Sequence, residues 1–398
     1  MLTTAEALDR ILAAMPELPA EAVELSAAHG RVLRQDVVAE RDQPPFDRVM
    51  MDGIAITYAD FENGQRQFDI QCTQMAGDAA VDLVPGKAIE IMTGASLPVL
   101  ADCIIPVERI SVSDGVATLE DGYEARAGQF IHPRASDHAA ASQLLTPGKR
   151  IAAMDVAVIA SAGLSGVDVS RVPVIRVIST GNELVAAGAP IEAHQIRLSN
   201  GPAIQALLAQ HGYAECDHDH LVDEPTVLRE RIARHLDESD VLILSGGVSM
   251  GKADYVPEVL ADLGVEVNFH RISQRPGKPM WFGSAPGGQA VFALPGNPVS
   301  ALVCCRQYVI PALSKASAAR AQAPEFASLA AEVTFSPALT CFQPVRLLSN
   351  AVGQVLAMPV KTNTSGDFTA LSGTDGYVEL PLEQSQFPAG TPVFLHRW

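Results

Sequence analysis

From about residue 173 to about residue 317, apolar segments of strand length alternate with segments of helical periodicity, and this alternation restricts the possible folds most. Strands are predicted at 174–178, 213–220, 241–244, 265–269, 279–282 and 290–293. Helices are predicted at about 199–210, 225–237, 254–262 and 298–315. The alternation predicts a doubly wound α/β domain, in which helices cover both faces of a parallel sheet. Ligands of such sheets bind at the carboxyl ends of the strands.

The segments on either side of this α/β region follow other patterns. A capping-box pattern at Thr3 and Glu6 precedes a helix predicted at 4–15, and a second helical stretch is predicted at about 20–30 with Gly30 as its C-terminal cap. Elsewhere, short strands broken by Gly, Pro and Asp dominate. The chain is therefore predicted to be multidomain, α/β and β. The predicted domains are an elongated helical/linker domain at 1–45 plus 141–172, a β-rich domain at 46–140, the α/β domain at 173–317 and a C-terminal β-barrel at 325–398.

Charge and cysteine usage exclude several classes of partner. The 398 residues carry a formal net charge of −18 with no basic run, whereas nucleic-acid binding needs many Lys and Arg contacts to phosphate. Asp9 and Arg10 interrupt any signal-peptide core, and the apolar run at 156–167 is shorter than the roughly 20 residues of a membrane span. None of the six cysteines has CxxC spacing. We therefore expect a cytoplasmic protein with free thiols and neither nucleic-acid nor membrane partners.

The segment SGGVSMGKADY follows the apolar strand VLIL and precedes a predicted helix. Its glycines allow the backbone to approach a ligand with the amides turned inward, while hydroxyls and a carboxylate add polar groups. A lone glycine loop of this kind is more often an ordinary turn, with Asp254 as the N-cap of the helix. The candidate binding residues here are Ser245, Gly246, Gly247, Ser249, Gly251 and Asp254.

Three further loops favour a binding site. RPGKP places two cations around a Pro-Gly turn, LPGNPVS follows the strand AVFA and starts the last helix, and STGNEL follows the strand VIRVI. Four polar glycine loops at one sheet edge predict a site for a phosphate-type ligand, although four independent turns remain an alternative. The candidates on these loops are Thr180, Gly181, Glu183, Arg275, Pro276, Gly277, Lys278, Pro295, Gly296, Asn297, Pro298 and Ser300.

Together these motifs resemble those of the molybdopterin molybdenumtransferases, the family of bacterial MoeA and the C-terminal domain of gephyrin. FDRVMMDGIA at 46–55 is similar to the family's FDNSAMDGYA, and IMTGASLPVLADCIIPVE at 91–108 is similar to IMTGAPVPEGADAVVPVE. GQFIHPRASD at 128–137 stands where the family has GxNIRRRGED, and SGDFTALSGTDGYVELP at 365–381 resembles the family's tail. The resemblance covers nearly the whole chain, so the combined motif set is specific.

The resemblance implies a fold, a reaction and an assembly. The family forms elongated homodimers of four-domain subunits, with each site between the α/β domain of one subunit and the β-rich domain of the other. Its reaction joins molybdate to adenylylated molybdopterin and releases AMP, supported by Mg²⁺. For this chain we therefore expect a molybdenumtransferase, with molybdopterin adenylyltransferase and other cofactor-biosynthesis proteins as partners.

The resemblance also assigns roles to matching residues. The expected catalytic residues are Asp52, Asp137, Glu183, Asp254 and Lys278. Of these, Asp52 is expected to reach the partner subunit's cleft, Asp52 and Asp254 to bind the metal, and Lys278 to offset charge on phosphate or molybdate. Residues 295–298 are expected to shape the pterin pocket. Arg346 and Ser365 from the tail are expected either to complete an oxyanion site with Lys278 and Ser300 or to lie on the surface.

Several positions depart from the family pattern. Arg275 replaces the first lysine of KPGKP, which keeps the charge but changes its geometry. Ile54 replaces a tyrosine, and Val49 with Met50 replaces Ser-Ala before the MDG motif. Most of RRRGE is replaced at positions 132–136. These changes alter the positive rim expected around the site. A divergent paralogue of the family therefore remains an alternative.

The alternative functions are those of a molybdopterin adenylyltransferase and of a gephyrin-type scaffold. A molybdopterin adenylyltransferase resembles the α/β domain alone, and a gephyrin-type scaffold carries an extra N-terminal domain and linker that this chain lacks.

The segment CDHDH at 216–220 could suggest zinc, but helix-paired ligands or a second CxxC are missing, so a strand end with incidental histidines is favoured. Core packing is the favoured interpretation for the adjacent Cys304 and Cys305.

Overall fold

The computed structural model describes residues 1–247 and 255–398 and separates into two compact units. The first unit contains Met1–Arg34, Pro147–Ala152 and Gly166–Trp398, and the second contains Gln35–Thr146 and Ala153–Ser165. Within the described residues, no helix combines the length and the apolar character needed to cross a membrane.

The first unit is built on a six-stranded mixed sheet. Its strands, in chain order, are β1 (Ile175–Thr180), β2 (Cys216–Leu221), β3 (Val241–Ser245), β4 (Glu266–His270), β5 (Trp281–Ser284) and β6 (Ala290–Leu294). The spatial order is β2-β1-β3-β6-β5-β4, and the first four strands are parallel. The expectation of a parallel sheet was wrong for β5, which is antiparallel to both of its neighbours, β4 and β6. The links at 271–280 and 285–289 are too short for the helical crossover that parallel strands require.

Helices cover both faces of this sheet, as the alternation predicted. One face packs Val177, Ile243 and Phe292 against Ile204 and Leu313. The opposite core contains Ile178, Leu228, Ile232, Leu244 and Val259. The covering helices are Asn200–Gln210, Pro225–Glu238, Val256–Asp262 and a last helix made of Pro298–Cys304, the π-helical turn Cys305–Val309 and Ile310–Ala316.

The C-terminal part of this unit is a closed five-stranded β-barrel, which confirms the predicted barrel. Its strands are Glu325–Leu329, Thr340–Ser349, Val355–Pro359, Gly376–Leu380 and Pro392–Arg397. The short strand Gln274–Arg275 pairs in parallel with Thr340–Cys341, so the segment before β5 is hydrogen-bonded directly to the barrel.

The N-terminal segment contains one prediction that held and one that was wrong. The helix Thr4–Ala14 begins with the predicted capping box of Thr3 and Glu6. The helical stretch predicted at about 20–30 is instead the strand Ala20–Glu24, paired antiparallel with Gly166–Ser170, followed by the 3-10 turn Leu25–Ala27. Alanine and glutamate favour helices locally, but pairing with a distant strand overrides that preference.

The second unit is β-rich, as predicted. Its six-stranded sheet contains, in spatial order, Cys103–Pro106, Gly53–Ile56, Lys87–Ile91, Gln67–Gln74, Val116–Leu119 and Ile110–Ser113. Two short pairs join Arg48–Val49 to Ile131–His132 and Val37–Val38 to Gln143–Leu145. The short helix Tyr58–Glu62 and the helix Ala153–Ser161 complete the unit.

A glycine is required where the strand Gly53–Ile56 passes the edge strand Cys103–Pro106. A Cβ atom on Gly53 would lie 1.9 Å from the carbonyl oxygen of Ile105, which is backbone and cannot rotate away. We predict that Gly53→Ala lowers the free energy of unfolding by about 2 kcal/mol or more, the scale of forced overpacking. Thermal or urea unfolding measures the loss.

The control for this variant is Gly115→Ala. Gly115 also has a positive φ, +75°, but an added Cβ would meet nothing within 4 Å. It should therefore cost only the backbone strain of about 1 kcal/mol. Equal losses in the two variants would show that the close approach to Ile105 does not matter.

Candidate functional site

The directions of four strands bring the predicted loops to one edge of the sheet. Strands β1, β3 and β6 are parallel, so the loops that follow them leave from the same edge. Strand β5 is antiparallel to β6, so the loop that precedes it lies at that edge as well. The loops containing Gly181, Gly246, Lys278 and Gly296 therefore share the carboxyl edge of the parallel strands, where ligands of such sheets bind.

A cleft of about 460 Å³ opens beside the last two of these loops and is bounded on its other side by barrel residues. It brings together eight predicted site residues: Arg275, Pro276, Gly277, Lys278, Pro295, Asn297, Ser300 and Ser365. Residues that the sequence analysis had not singled out also line it: Gln274, Pro279, Val299, Phe335, Leu339, Cys341, Phe342, Gln343, Pro344, Thr362, Asn363 and Thr364. The hydroxyl-rich run TNTS at 362–365 was the sequence signal that could have identified the barrel side.

The electrostatics of this cleft differ from those of the whole chain. The chain has a net charge of −18, but no described residue that lines the cleft is acidic. Arg275 and Lys278 are exposed, and neither forms an ion pair with a carboxylate in the described part of the chain. The cleft therefore offers two uncompensated cations and several hydroxyl donors, a combination that suits an oxyanion.

The start of the last helix supplies part of the floor. Pro298 occupies the first helical position as predicted, but the Asn297 side chain forms no capping hydrogen bond. The amide of Val299 donates to the carbonyl oxygen of Ser365 over 3.1 Å, so the barrel segment closes over this helix start. Ser300 is buried, with 3% of its surface exposed.

The loops after β1 and β3 form a second group beside the cleft. Gly246 and Gly247 pass so close to Thr180 that an added Cβ on either would approach its Oγ1 to 3.0 or 2.9 Å. The Glu183 carboxylate lies against Gly181, where a Cβ would be 2.7 Å from it. None of these residues lines the 460 Å³ cleft. The predicted residues Ser249, Gly251 and Asp254 lie outside the described residues.

Asn200 is a site-supporting residue that the sequence analysis missed. Its Nδ2 donates to Ser245 Oγ over 2.9 Å and to the carbonyl oxygen of Gly296 over 2.8 Å. It thereby connects the loop after β3 to the loop after β6. A lone asparagine near a helix start gave no signal that distinguished it from an ordinary cap.

Arg346 lies on the barrel strand Thr340–Ser349 and is exposed. Its Nε donates to the carbonyl oxygen of Gly373 over 3.3 Å, and it is not among the residues that line the cleft.

The two remaining acidic candidates lie in the second unit. Asp52 Oδ1 accepts hydrogen bonds from the amide and hydroxyl of Thr93, at 2.6 and 2.8 Å. These bonds, the backbone one first, hold the pKa of Asp52 below its usual value. Asp137 Oδ1 lies 3.1 Å from His132 Nε2, and His132 Nδ1 lies 3.1 Å from Arg48.

The histidines of CDHDH have hydrogen-bond partners within the protein. His218 Nε2 lies 3.0 Å from Ser179 Oγ, and His220 Nε2 donates to the carbonyl oxygen of Gly181 over 2.9 Å. Among the described residues, no group of three or more His, Cys, Asp or Glu side chains is arranged to hold a metal ion. Cys304 and Cys305 are fully buried, which confirms their packing role, and burial raises the pKa of both thiols.

Family models match nearly the whole chain. Residues 2–163 match the MoeA N-terminal region (domain I and II), and residues 176–315 match a model described as "Probable molybdopterin binding domain". Residues 327–397 match the MoeA C-terminal region (domain IV).

Individual proteins give the same result. The chain is 36% identical over 400 residues to a molybdopterin molybdenumtransferase of Synechocystis sp., with all of both chains covered. It is 29% identical to one of Staphylococcus epidermidis, covering 98% of this chain and 94% of that protein. A crystal structure of the molybdopterin biosynthesis protein moeA from Pyrococcus horikoshii OT3 aligns over 100% of both chains, with a TM-score of 0.83 and 26% identity.

The hydrogen bonds to Asp52 predict a pH effect. In Thr93→Val the hydroxyl bond is lost and the amide bond remains, so the pKa of Asp52 should rise towards, but not reach, the ordinary value of 3.8. A depressed carboxyl pKa stabilises the fold above the unfolded-state pKa, and this contribution is lost as pH falls through the folded-state value. The stability difference between wild type and Thr93→Val should therefore be full at neutral pH and vanish in acid.

Carboxyl-carbon NMR of Asp52 measures the pKa, and urea unfolding at several pH values measures the stability. The control is Thr73→Val. In the wild type the Thr73 hydroxyl donates to Glu90, and both residues lie in the six-stranded sheet of the second unit. If the pKa of Asp52 is the same in Thr93→Val as in the wild type and the control, the hydroxyl bond does not set it.

Proposed function

The chain belongs to the molybdopterin molybdenumtransferase family, and on this premise we propose that it inserts molybdate into adenylylated molybdopterin, releasing AMP and forming the molybdenum cofactor. The observation that carries this proposal is the cleft with Arg275 and Lys278, which contains no described acidic side chain although the whole chain is strongly negative. Molybdate is a dianion, so its binding must depend on such local groups at short range.

Cations and hydroxyl groups make different contributions to anion binding in this cleft. Lys278 and Arg275 balance the charge of the oxyanion, and the Ser300 and Ser365 hydroxyls donate hydrogen bonds to its oxygens. Pro295, Phe335 and Phe342 are among the apolar residues that line the cleft and lower its local dielectric constant, which strengthens those charge interactions. We propose Arg346 as an outer cation on the barrel side. The pterin and its nucleotide then lie along the loops of Gly181, Gly246 and Gly296, where backbone amides can meet phosphate.

Mg²⁺ is proposed as the accompanying cation, held by Asp52 and Asp254. Asp52 suits this role because the Thr93 hydrogen bonds keep its carboxylate ionised and leave Oδ2 without those bonds. Mg²⁺ commonly takes only one or two protein carboxylates together with substrate phosphates, so a larger cluster of acidic residues is not required. When bound, Mg²⁺ neutralises phosphate charge as the bond to AMP is broken. Asp137 and Glu183 are proposed as further acidic groups of the same site.

We further propose a homodimer, with Asp52 and Asp137 of one subunit completing the cleft of the other. Each subunit is proposed to have four domains, at 1–45 plus 141–172, 46–140, 173–317 and 325–398. The six free cysteines support a reducing, cytoplasmic location. Molybdopterin adenylyltransferase is the proposed supplier of the substrate. No observation favours adenylyltransferase activity or a scaffold role for this chain, since it also matches the two MoeA regions on either side of the α/β domain.

The function is tested by turnover of purified adenylylated molybdopterin with molybdate, followed by AMP release. We predict that Lys278→Ala lowers kcat/KM for molybdate by about two orders of magnitude, the scale of losing one placed electrostatic group. The control is Lys315→Ala, an exposed lysine of the last helix outside the cleft, which should behave as wild type. Full activity of Lys278→Ala would remove Lys278 from the site.

The shared-site proposal predicts complementation between two inactive variants. Asp52→Asn and Lys278→Ala should each have very low activity alone, because each impairs both sites of its homodimer. After mixing and exchange of subunits, half the dimers are hybrids with one intact site, so about a quarter of wild-type activity should return.

The mixture is assayed by AMP release, and light scattering checks that dimers are present. A control mixture of Lys278→Ala with Asp254→Asn should stay inactive if both residues serve the same subunit's cleft. If the mixture of Asp52→Asn and Lys278→Ala also stays inactive, the site is not shared between subunits.

A further inference from the structure

The last helix of the α/β domain begins at the cleft and is interrupted further along its length. Between the α-helical segments Pro298–Cys304 and Ile310–Ala316, residues Cys305–Val309 form a π-helical turn. Such a turn inserts one residue into the α-helical repeat, which rotates the following side chains by about 100°. π turns within helices occur frequently at functional sites.

Tyr308 of this turn supports the loop that carries the cleft's cations. Tyr308 is fully buried, and its hydroxyl donates to the side-chain oxygen of Gln274, which is also fully buried. The Gln274 amide nitrogen then donates to the carbonyl oxygen of Pro276 over 3.0 Å and lies 3.5 Å from Cys304 Sγ. The hydroxyl of Tyr308 thus sets which way the Gln274 amide faces, and that amide holds the loop.

The loop lies directly on the buried side chains of Cys304 and Gln274. A Cβ atom on Gly277 would be 2.4 Å from Cys304 Sγ and 2.6 Å from the Gln274 amide nitrogen, so the backbone at Gly277 touches both side chains. Lys278 is the next residue and Arg275 immediately follows Gln274. The Gln274 side chain therefore contacts the backbone at Pro276 and Gly277, between the two cations.

We propose that Tyr308 is a positioning residue for Lys278 and Arg275: through Gln274 it fixes the position of the loop 275–278 in the cleft. Tyr308 does not itself line the cleft and acts through Gln274, which does. The inference depends on the proposed function where it assigns molybdate as the anion, but the positioning of the loop can be measured without any ligand.

The same turn offers a matched control. Gln307, the residue before Tyr308, accepts a hydrogen bond over 2.7 Å from the hydroxyl of Tyr377 in the barrel. Tyr377 is also fully buried. Tyr308→Phe and Tyr377→Phe therefore each remove one buried phenol hydroxyl that donates to a glutamine oxygen, but only the first bond leads to the loop.

The first measurement is binding of molybdate alone by isothermal titration calorimetry, alongside the KM for molybdate in turnover. We expect Tyr308→Phe to raise the Kd and the KM for molybdate by roughly tenfold, the effect of leaving one buried acceptor unpaired. Tyr377→Phe should leave both within about twofold of wild type while lowering Tm as much as Tyr308→Phe does. Equal molybdate affinity in the two variants would overturn the proposal.

A double-mutant cycle separates positioning from general destabilisation. Gln274→Met removes the same link from its other end, so the effects of Tyr308→Phe and Gln274→Met on molybdate affinity should be strongly non-additive. Additive effects would show that Tyr308 does not act through Gln274. Gln274→Met also provides the test if Tyr308→Phe does not fold.

A crystal structure of Tyr308→Phe without ligand distinguishes failure of this inference from failure of the proposed function. If Lys278→Ala binds molybdate as wild type does, the anion site is misassigned, yet the loop 275–278 should still move by about 1 Å in Tyr308→Phe, a shift that is costly in a preorganised site. An unmoved loop overturns the inference, whatever the ligand.

Discussion

The reversal of strand direction at β5 is the constraint on which the cleft depends. Because β5 is antiparallel to β6, the segment that precedes it returns to the edge where β1, β3 and β6 end. The cations of the loop 275–278 therefore stand beside the start of the last helix. The same segment pairs with the barrel strand Thr340–Ser349, which places the second wall. A fully parallel sheet would have put the loop before β5 at the opposite edge.

The net charge of the whole chain is negative, whereas the charged side chains that line the cleft, among the described residues, are cations. An excess of acidic groups over the whole chain opposes the approach of a dianion, and screening limits that effect to about 8 Å at physiological ionic strength. Inside the cleft, the absence of described acidic side chains leaves the field of Lys278 and Arg275 uncancelled at contact distance. Affinity for an oxyanion is therefore a property of a few placed groups, and net charge does not predict it.

The sequence predicted the elements with strong periodicity and the loops with special backbone chemistry. The barrel, both helical layers and seven residues of the cleft follow from apolar spacing, glycine and proline, whereas Ser365 was expected only from the resemblance to the family. It failed where a distant partner decides the structure, as at Ala20–Glu24, whose helix-favouring residues are held in a strand by Gly166–Ser170. It also missed Asn200 and Tyr308, because each is ordinary in its local sequence and matters only through contacts far along the chain.

The departures from the family motif in the β-rich unit are connected with one another. His132 stands where the family pattern has an arginine, and Arg48 stands where it has an asparagine. These two residues face each other across the strand pair Arg48–Val49 and Ile131–His132, and the Arg48 guanidinium donates to His132 Nδ1 over 3.1 Å. With Nδ1 accepting, His132 Nε2 carries the proton and donates to Asp137. Relative to the family pattern, the arginine therefore stands on the strand Arg48–Val49 instead of on the strand Ile131–His132. Asp137 still accepts a hydrogen bond from position 132. The two substitutions together thus keep one arginine in this strand pair and one donor to Asp137.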